Sequence, residues 1–142
     1  EAAPAEDPDI ERGSGETILV VEDNDATRAS VCEILKALGY QVLEASDGQQ
    51  ALAAYARDAE RIDLVLSDLV MPVMGGSDLV RALQATAREQ RFLLMTGYPL
   101  GHTRELLESG QVQWLQKPLS RAKLARAVRK ALSDESAETP HA

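Results

Sequence analysis

The sequence predicts an α/β protein built as a doubly wound, five-stranded parallel sheet with five helices, and three observations carry that prediction. Short apolar runs alternate with amphipathic stretches five times between Glu16 and Leu132, the pattern of repeated strand–helix units. The runs are short and almost wholly apolar, such as Ile18-Leu19-Val20-Val21, as strands covered on both faces must be. A length of 142 residues with 44% hydrophobic composition fills one core and leaves little for a second.

The elements follow in order. Residues 1–15 hold three alanines, two prolines and two glycines among acids, with no apolar period, and read as a solvated acidic linker. The folded domain is expected over residues 16–133. Its first strand is Ile18 to Val21, and a helix from about Ala26 to Leu38 carries Val31, Ile34, Leu35 and Leu38 at helical spacing, with Asn24 or Asp25 as its cap and Gly39 as its stop. The second strand is Val42 to Ala45. Ser46-Asp47-Gly48 then turns into a helix with Ala51, Leu52 and Tyr55, ending near Arg57. The third strand is Leu64 to Ser67, followed by a loop through Met71 to Gly76 and a helix with Leu79, Val80 and Leu83. Phe92 to Met95 form the fourth strand with Thr96 at its end, and a short fourth helix with Leu106 and Leu107 ends at Gly110. The fifth strand is Val112 to Leu115. Lys117-Pro118 turns the chain into a last helix, Ser120 to about Leu132, burying Leu124, Val128 and Leu132. Residues 134–142 read as a polar tail.

Charge and composition narrow the function. With 23 acidic against 15 basic residues and a net charge of -8, the chain repels phosphate backbones and anionic lipid, so neither direct nucleic-acid binding nor membrane contact is expected. The single cysteine, Cys32, cannot form an internal disulfide and reads as a buried, inert thiol. No apolar stretch approaches the roughly 18 residues of a membrane span and no signal peptide is evident, which makes the cytoplasm the simplest address. Residue 1 is Glu rather than Met, so an excerpt of a longer chain or a processed chain is expected, with its output elsewhere.

Ionisable residues concentrate where strands end. Glu22 and Asp23 follow the first strand, Asp68 the third and Lys117 the fifth, while Thr96 closes the fourth. Ligands of open parallel sheets bind outside the carboxyl ends of the strands, where strand order reverses, so a sheet with strand one beside strand three gathers these residues into one crevice. Crowded carboxylates repel unless a cation lies between them, and hard oxygen ligands suit Mg2+. With a lysine and a hydroxyl nearby, Asp68 becomes a candidate carboxylate nucleophile for phosphoryl transfer.

The motifs Val20-Val21-Glu22-Asp23-Asn24, Asp68-Leu69-Val70-Met71-Pro72-Val73-Met74-Gly75-Gly76, Met95-Thr96-Gly97 and Lys117-Pro118-Leu119 together resemble the receiver domain of two-component response regulators, over about Glu16 to Leu132. That resemblance implies a flavodoxin-like sheet of order 2-1-3-4-5. It implies that Asp68 is the phosphoacceptor, that Glu22, Asp23, Asp68 and the Val70 main-chain carbonyl serve Mg2+, with Glu22 acting through water, and that Thr96 and Lys117 read the phosphoryl oxygens. Thr96 and Trp114 would form the conformational switch, Trp114 standing where most relatives carry Tyr or Phe. A cis bond before Pro118 is also implied. The implied partner is a histidine kinase or a histidine phosphotransfer protein, and the domain would catalyse its own phosphorylation and dephosphorylation. The stretches Gly13 to Asp23 and Leu94 to Tyr98 are similar to receivers fused to the carboxyl end of hybrid sensor histidine kinases. A stand-alone single-domain regulator is the alternative origin.

Plainer readings stand beside each residue. Asp68 alone could be a turn former, Glu22 and Asp23 helix-capping acids, Thr96 a β-branched strand residue, Lys117 a solvated charge and Trp114 a half-buried strand aromatic. Met71 and Met74 read as packing, and His102 as an exposed loop histidine rather than a phosphodonor. The basic residues Arg121, Lys123, Arg126, Arg129 and Lys130 read as a solvated helix face, the minority alternative being a docking face for an acidic partner or a weak homodimer. A haloacid-dehalogenase-type phosphatase would need a second acid two residues after Asp68, where the chain has Val70. Val70 and Tyr98 are also poor at orienting an attacking water, so slow loss of phosphate is expected.

Overall fold

Apolar alternation on each strand divides the molecule into two cores on opposite faces of one sheet. The computed structural model describes residues 12–71, 74–85, 90–97, 112–117 and 119–133. Five strands, β1 (Thr17–Val21), β2 (Gln41–Ala45), β3 (Leu64–Asp68), β4 (Phe92–Thr96) and β5 (Val112–Gln116), form an all-parallel sheet of order β2-β1-β3-β4-β5. Among the described residues four helices cover it: α1 (Asp25–Ala37), α2 (Gly48–Asp58), α3 (Gly76–Gln84) and α4 (Arg121–Leu132), with a 3-10 turn at Ala59–Arg61. The sequence expectation of a further helix around Leu106 and Leu107 lies outside the described residues, as do Pro72, Val73, Tyr98, His102 and Pro118.

Ile18 and Val20, Leu64 and Leu66, and Leu93 and Met95 point to one side, where Val31, Cys32 and Leu35 of α1 and Leu124, Ala125 and Val128 of α4 complete a core. Their neighbours Leu19 and Val21, Val65, and Phe92 and Leu94 point to the other, against Ala51, Ala54 and Tyr55 of α2 and Leu79, Val80 and Leu83 of α3. Both faces being covered explains why β1, β3 and β4 are buried at every position. Burial also settles Cys32, whose thiol is pushed up to about 11 by desolvation, and the methionines: Met71 is buried and Met74 packs against the α2–α3 core.

Local chemistry fixes the helix ends. Asn24 caps α1, its Oδ1 accepting from Thr27 N–H at 2.8 Å, while Asp47 and Ser120 cap α2 and α4 in the same way. α1 stops at Gly39, whose φ of +100° favours glycine and where a Cβ would stand 2.9 Å from the Gly13 carbonyl oxygen. That close approach belongs to a strap that composition does not announce. Gly13 N–H donates to Leu38 O at 2.7 Å and Gly15 N–H to Gly39 O at 2.9 Å. Arg129 of α4 reaches the same segment, at 3.3 Å from Glu16 Oε2 and 3.4 Å from Arg12 O, so this member of the basic series is half-buried and paired rather than solvated. Burial raises the Glu16 carboxyl, but hydrogen bonds from Ser14 and its own N–H and the Arg129 charge outweigh it and hold the carboxyl below its ordinary range.

Candidate functional site

β1 runs out to α1 and β2 on one side, and the return through α2 places β3 on its other side. The carboxyl ends of β1 and β3 are therefore neighbours at the point where strand order reverses, in the register Val21 opposite Ser67. Glu22 continues the alternation of Ile18 and Val20, and Asp68 that of Leu64 and Leu66, so both acids leave the same face. Ligand oxygens of Glu22, Asp23 and Asp68 all lie within 4.8 Å of one another. Glu22 and Asp68 are buried, at 2% and 8% exposure, whereas Asp23 is exposed at the crest.

Lys117, one residue past β5, enters this group. Its Nζ lies 3.4 Å from Asp68 Oδ1 and 3.9 Å from Glu22 Oε1, and its own N–H is tied to Thr96 O at 2.8 Å. One ammonium does not neutralise three acids. Burial raises the Asp68 carboxyl above its usual range against the pull of Lys117, and burial with the Asp68 charge does the same for Glu22 despite the bond from Asn24 N–H. Glu22 Oε2 accepts that bond at 3.0 Å, while Glu22 Oε1 is buried with no hydrogen-bond partner among the described residues. A buried acceptor oxygen without a donor, beside two more carboxylates, fits a hard divalent cation.

Thr96 is 1% exposed at the end of β4, one position past the Asp68–Met95 pair. It shares its side of the sheet with Phe92 and Leu94, the α2–α3 side. Trp114, opposite Leu94 in the register, packs half-buried against that same core, so Thr96 and Trp114 are diagonal neighbours on one face. Val70 is 59% exposed just beyond Asp68. Gly76 shows why glycines follow: a Cβ there would meet Asp68 O at 2.6 Å and Leu69 Cα at 3.0 Å. Beside Lys117 an open cleft of about 360 Å3 runs along α1 past Ala26, Ser30, Val31 and Ile34 to Leu119.

Of the site residues expected from sequence, Glu22, Asp23, Asp68, Val70, Thr96 and Lys117 lie at this end of the sheet, whereas Trp114 stands mid-strand in β5, opposite Leu94. Arg28 was missed. Its guanidinium donates to Glu22 O at 2.9 Å, Asp25 Oδ1 at 2.8 Å and Glu44 Oε1 at 3.1 Å, and its only sequence signal is an arginine one turn into a helix that follows two acids. No helix among the described residues is long and apolar enough to cross a membrane.

Comparison with known proteins agrees with the geometry. Residues 18–129 match the family model of the response regulator receiver domain. The chain is 36% identical over 120 residues to Sensor kinase CckA of Brucella abortus, covering 84% of this chain but 13% of that protein, so it spans a small part of that relative's length. It is 33% identical to Sporulation initiation phosphotransferase F of Bacillus subtilis, covering 82% of this chain and 94% of that one. Among solved structures, the receiver domain of sensor histidine kinase PA1611 from Pseudomonas aeruginosa, with a magnesium ion in its active-site cleft, superposes with a TM-score of 0.74 at 33% identity, covering 84% of this chain and 98% of that one. With motifs, strand order and site converging over most of its length, the chain belongs to the response regulator receiver domain family.

Proposed function

We propose that this domain takes a phosphoryl group onto Asp68 from a phosphohistidine of a histidine kinase or histidine phosphotransfer protein, and changes conformation as a result. An Asp68 carboxylate oxygen attacks phosphorus, the phosphorus–nitrogen bond of the donor breaks, and the imidazole leaves with the electron pair. The product is an acyl phosphate. The observation that carries this reading is the convergence of Glu22, Asp23, Asp68 and Lys117, from the ends of three strands, on one mouth with an orphaned acceptor oxygen.

Glu22, Asp23, Asp68 and the Val70 carbonyl would hold Mg2+, Glu22 through water. Bound there, the ion supplies positive charge that withdraws negative charge from the phosphoryl oxygens and relieves carboxylate repulsion. Lys117 stabilises the same oxygens from the side of β5, and the Thr96 hydroxyl donates a further hydrogen bond to them. Thr96, drawn toward the phosphoryl group, vacates space on the α2–α3 side of the sheet. Trp114, its diagonal neighbour, turns into that space and carries the change to the surface. The cleft along α1 beside Lys117 gives a donor helix an apolar seat next to the acceptor. Its identity with a sensor kinase favours an origin as the receiver of a hybrid kinase. Coverage of nearly all of a small phosphotransferase keeps a stand-alone regulator as the second reading.

Intact-mass spectrometry after acetyl phosphate and Mg2+ treatment tests the proposal. Wild type gains one phosphoryl group and Asp68→Asn gains none. An unchanged wild-type mass beside a competent control receiver refutes the assignment, and repeated turnover of a phosphoester would favour a phosphatase instead.

A further inference from the structure

Two of the three metal-binding acids of the proposed site sit on a short segment, Glu22-Asp23-Asn24, between β1 and α1. Glu22 N–H donates to Ala45 O of β2 at 3.1 Å, and Asn24 is held at the cap of α1. Between these anchors lies the Glu22–Asp23 peptide. A peptide is planar, so holding its carbonyl oxygen between these two anchors restricts rotation of the plane, and with it ψ of Glu22 and φ of Asp23, the torsions that aim the two side chains. That oxygen accepts from Arg28 Nη1 at 2.9 Å. The guanidinium itself is held on two further sides, by Asp25 Oδ1 at 2.8 Å and Glu44 Oε1 at 3.1 Å, so it cannot rotate away without breaking three bonds together. Arg28 is 17% exposed in its side chain, while Asp25 is 87% and Glu44 48% exposed. Ion pairs with such open partners add little stability. Their use is geometric: they aim the fork at the Glu22 carbonyl.

We infer that Arg28 is a positioning residue which, without touching the ion, orients Glu22 and Asp23 and so sets the cation affinity of the site. The inference rests on the metal-dependent phosphoacceptor reading, and electrostatics gives it a decisive sign. Arg28 is a positive charge beside an acidic cation site, so removing it should strengthen cation binding if charge alone counts. If positioning counts, removing it weakens binding.

The test is Mn2+ binding to the intact chain, read as loss of free-ion electron paramagnetic resonance signal, together with the melting temperature of the metal-free protein. Arg28→Met keeps the apolar stem and loses the fork, and its Mn2+ dissociation constant is expected to rise about fivefold to tenfold, a range set by what supporting residues of metal sites contribute. Arg28→Lys keeps the charge but offers one ammonium, and rises about twofold to fivefold on the same basis; it carries the test if the methionine variant does not fold. Arg61→Met removes the same charge near the opposite end of the sheet, from a surface pair with Asp58, and controls for net charge. Unchanged or tighter Mn2+ binding by both Arg28 variants overturns the inference, including when their melting temperature falls, because a purely structural role moves stability alone. If wild type binds no Mn2+, the metal reading fails and the inference with it. If wild type binds and the variants bind as well as it does, the positioning role alone fails.

Discussion

Neutralising the proposed phosphoacceptor should stabilise the metal-free protein. At an effective dielectric of ~20, unit charges 4.8 Å apart, the upper limit between Glu22 and Asp68 ligand oxygens, repel by about 3.5 kcal/mol. Lys117 offsets part of this from 3.4 Å, but its side chain is 32% exposed, and water reduces the attraction to about 2 kcal/mol or less. Asp68→Asn removes the repulsion and the desolvation of a charge, loses the lysine pair and offers an amide N–H near the orphaned Glu22 Oε1. The balance is a gain of about 1–2 kcal/mol, or a rise of about 3–8 °C in melting temperature for a domain of this size. Both carboxyls have folded-state pKa values raised by burial, so in the window between their ordinary and raised values the folded state binds more protons. Their contribution therefore makes wild type less stable as pH rises through that window, and Asp68→Asn flattens the slope. Thermal melts followed by circular dichroism in chelator, across that window, check both. Added Mg2+ reverses the comparison, stabilising wild type by about 2.7 kcal/mol at 100 times its dissociation constant and the variant far less. An Asp68→Asn chain that melts below wild type in chelator, or gains equally from Mg2+, refutes the electrostatic reasoning.

Three further outcomes are expected. Gly76→Ala drives a Cβ into the Asp68 carbonyl and Leu69, costing about 1–3 kcal/mol in urea denaturation and slowing acetyl phosphate labelling, whereas Gly97→Ala, with nothing within 4 Å of its Cβ, costs less than about 1 kcal/mol. Cys32, buried with its thiol at about 11, resists a thiol-specific disulfide reagent in the native protein at mildly alkaline pH and reacts at once in denaturant; fast native labelling would contradict its packing. Val70 presents an exposed apolar side chain beside Asp68 that cannot orient a water, so the phosphorylated domain in Mg2+ loses its group over minutes or longer and Val70→Asn shortens that lifetime; a wild-type half-life of seconds would sink this.

Strands and helices were legible in the sequence because each obeys a local rule. Apolar runs gave β1 to β5 to within one residue at either end, and Asn24, Asp47 and Ser120 stood where helix caps are needed. Asp68, Glu22, Asp23 and Lys117 were legible because a parallel sheet delivers all its carboxyl ends to one side. Arg28, the Gly13–Gly39 contact and the Arg129–Glu16 pair were not, since each joins residues whose meeting depends on how separate elements pack. Arg129, in particular, looked like one more charge on a solvated helix.

By itself the sequence determined an acidic α/β domain and the chemical identity of the groups at its strand ends. Only the tertiary structure decided how near they stand. The distances of 3.4 Å and 3.9 Å from Lys117 to Asp68 Oδ1 and Glu22 Oε1, and the lack of a hydrogen-bond donor to that Glu22 oxygen among the described residues, depend on β1 lying between β2 and β3 and on the register of β3, β4 and β5. Those are packing outcomes, settled when both faces of the sheet are covered at once, and no stretch of chain encodes them alone.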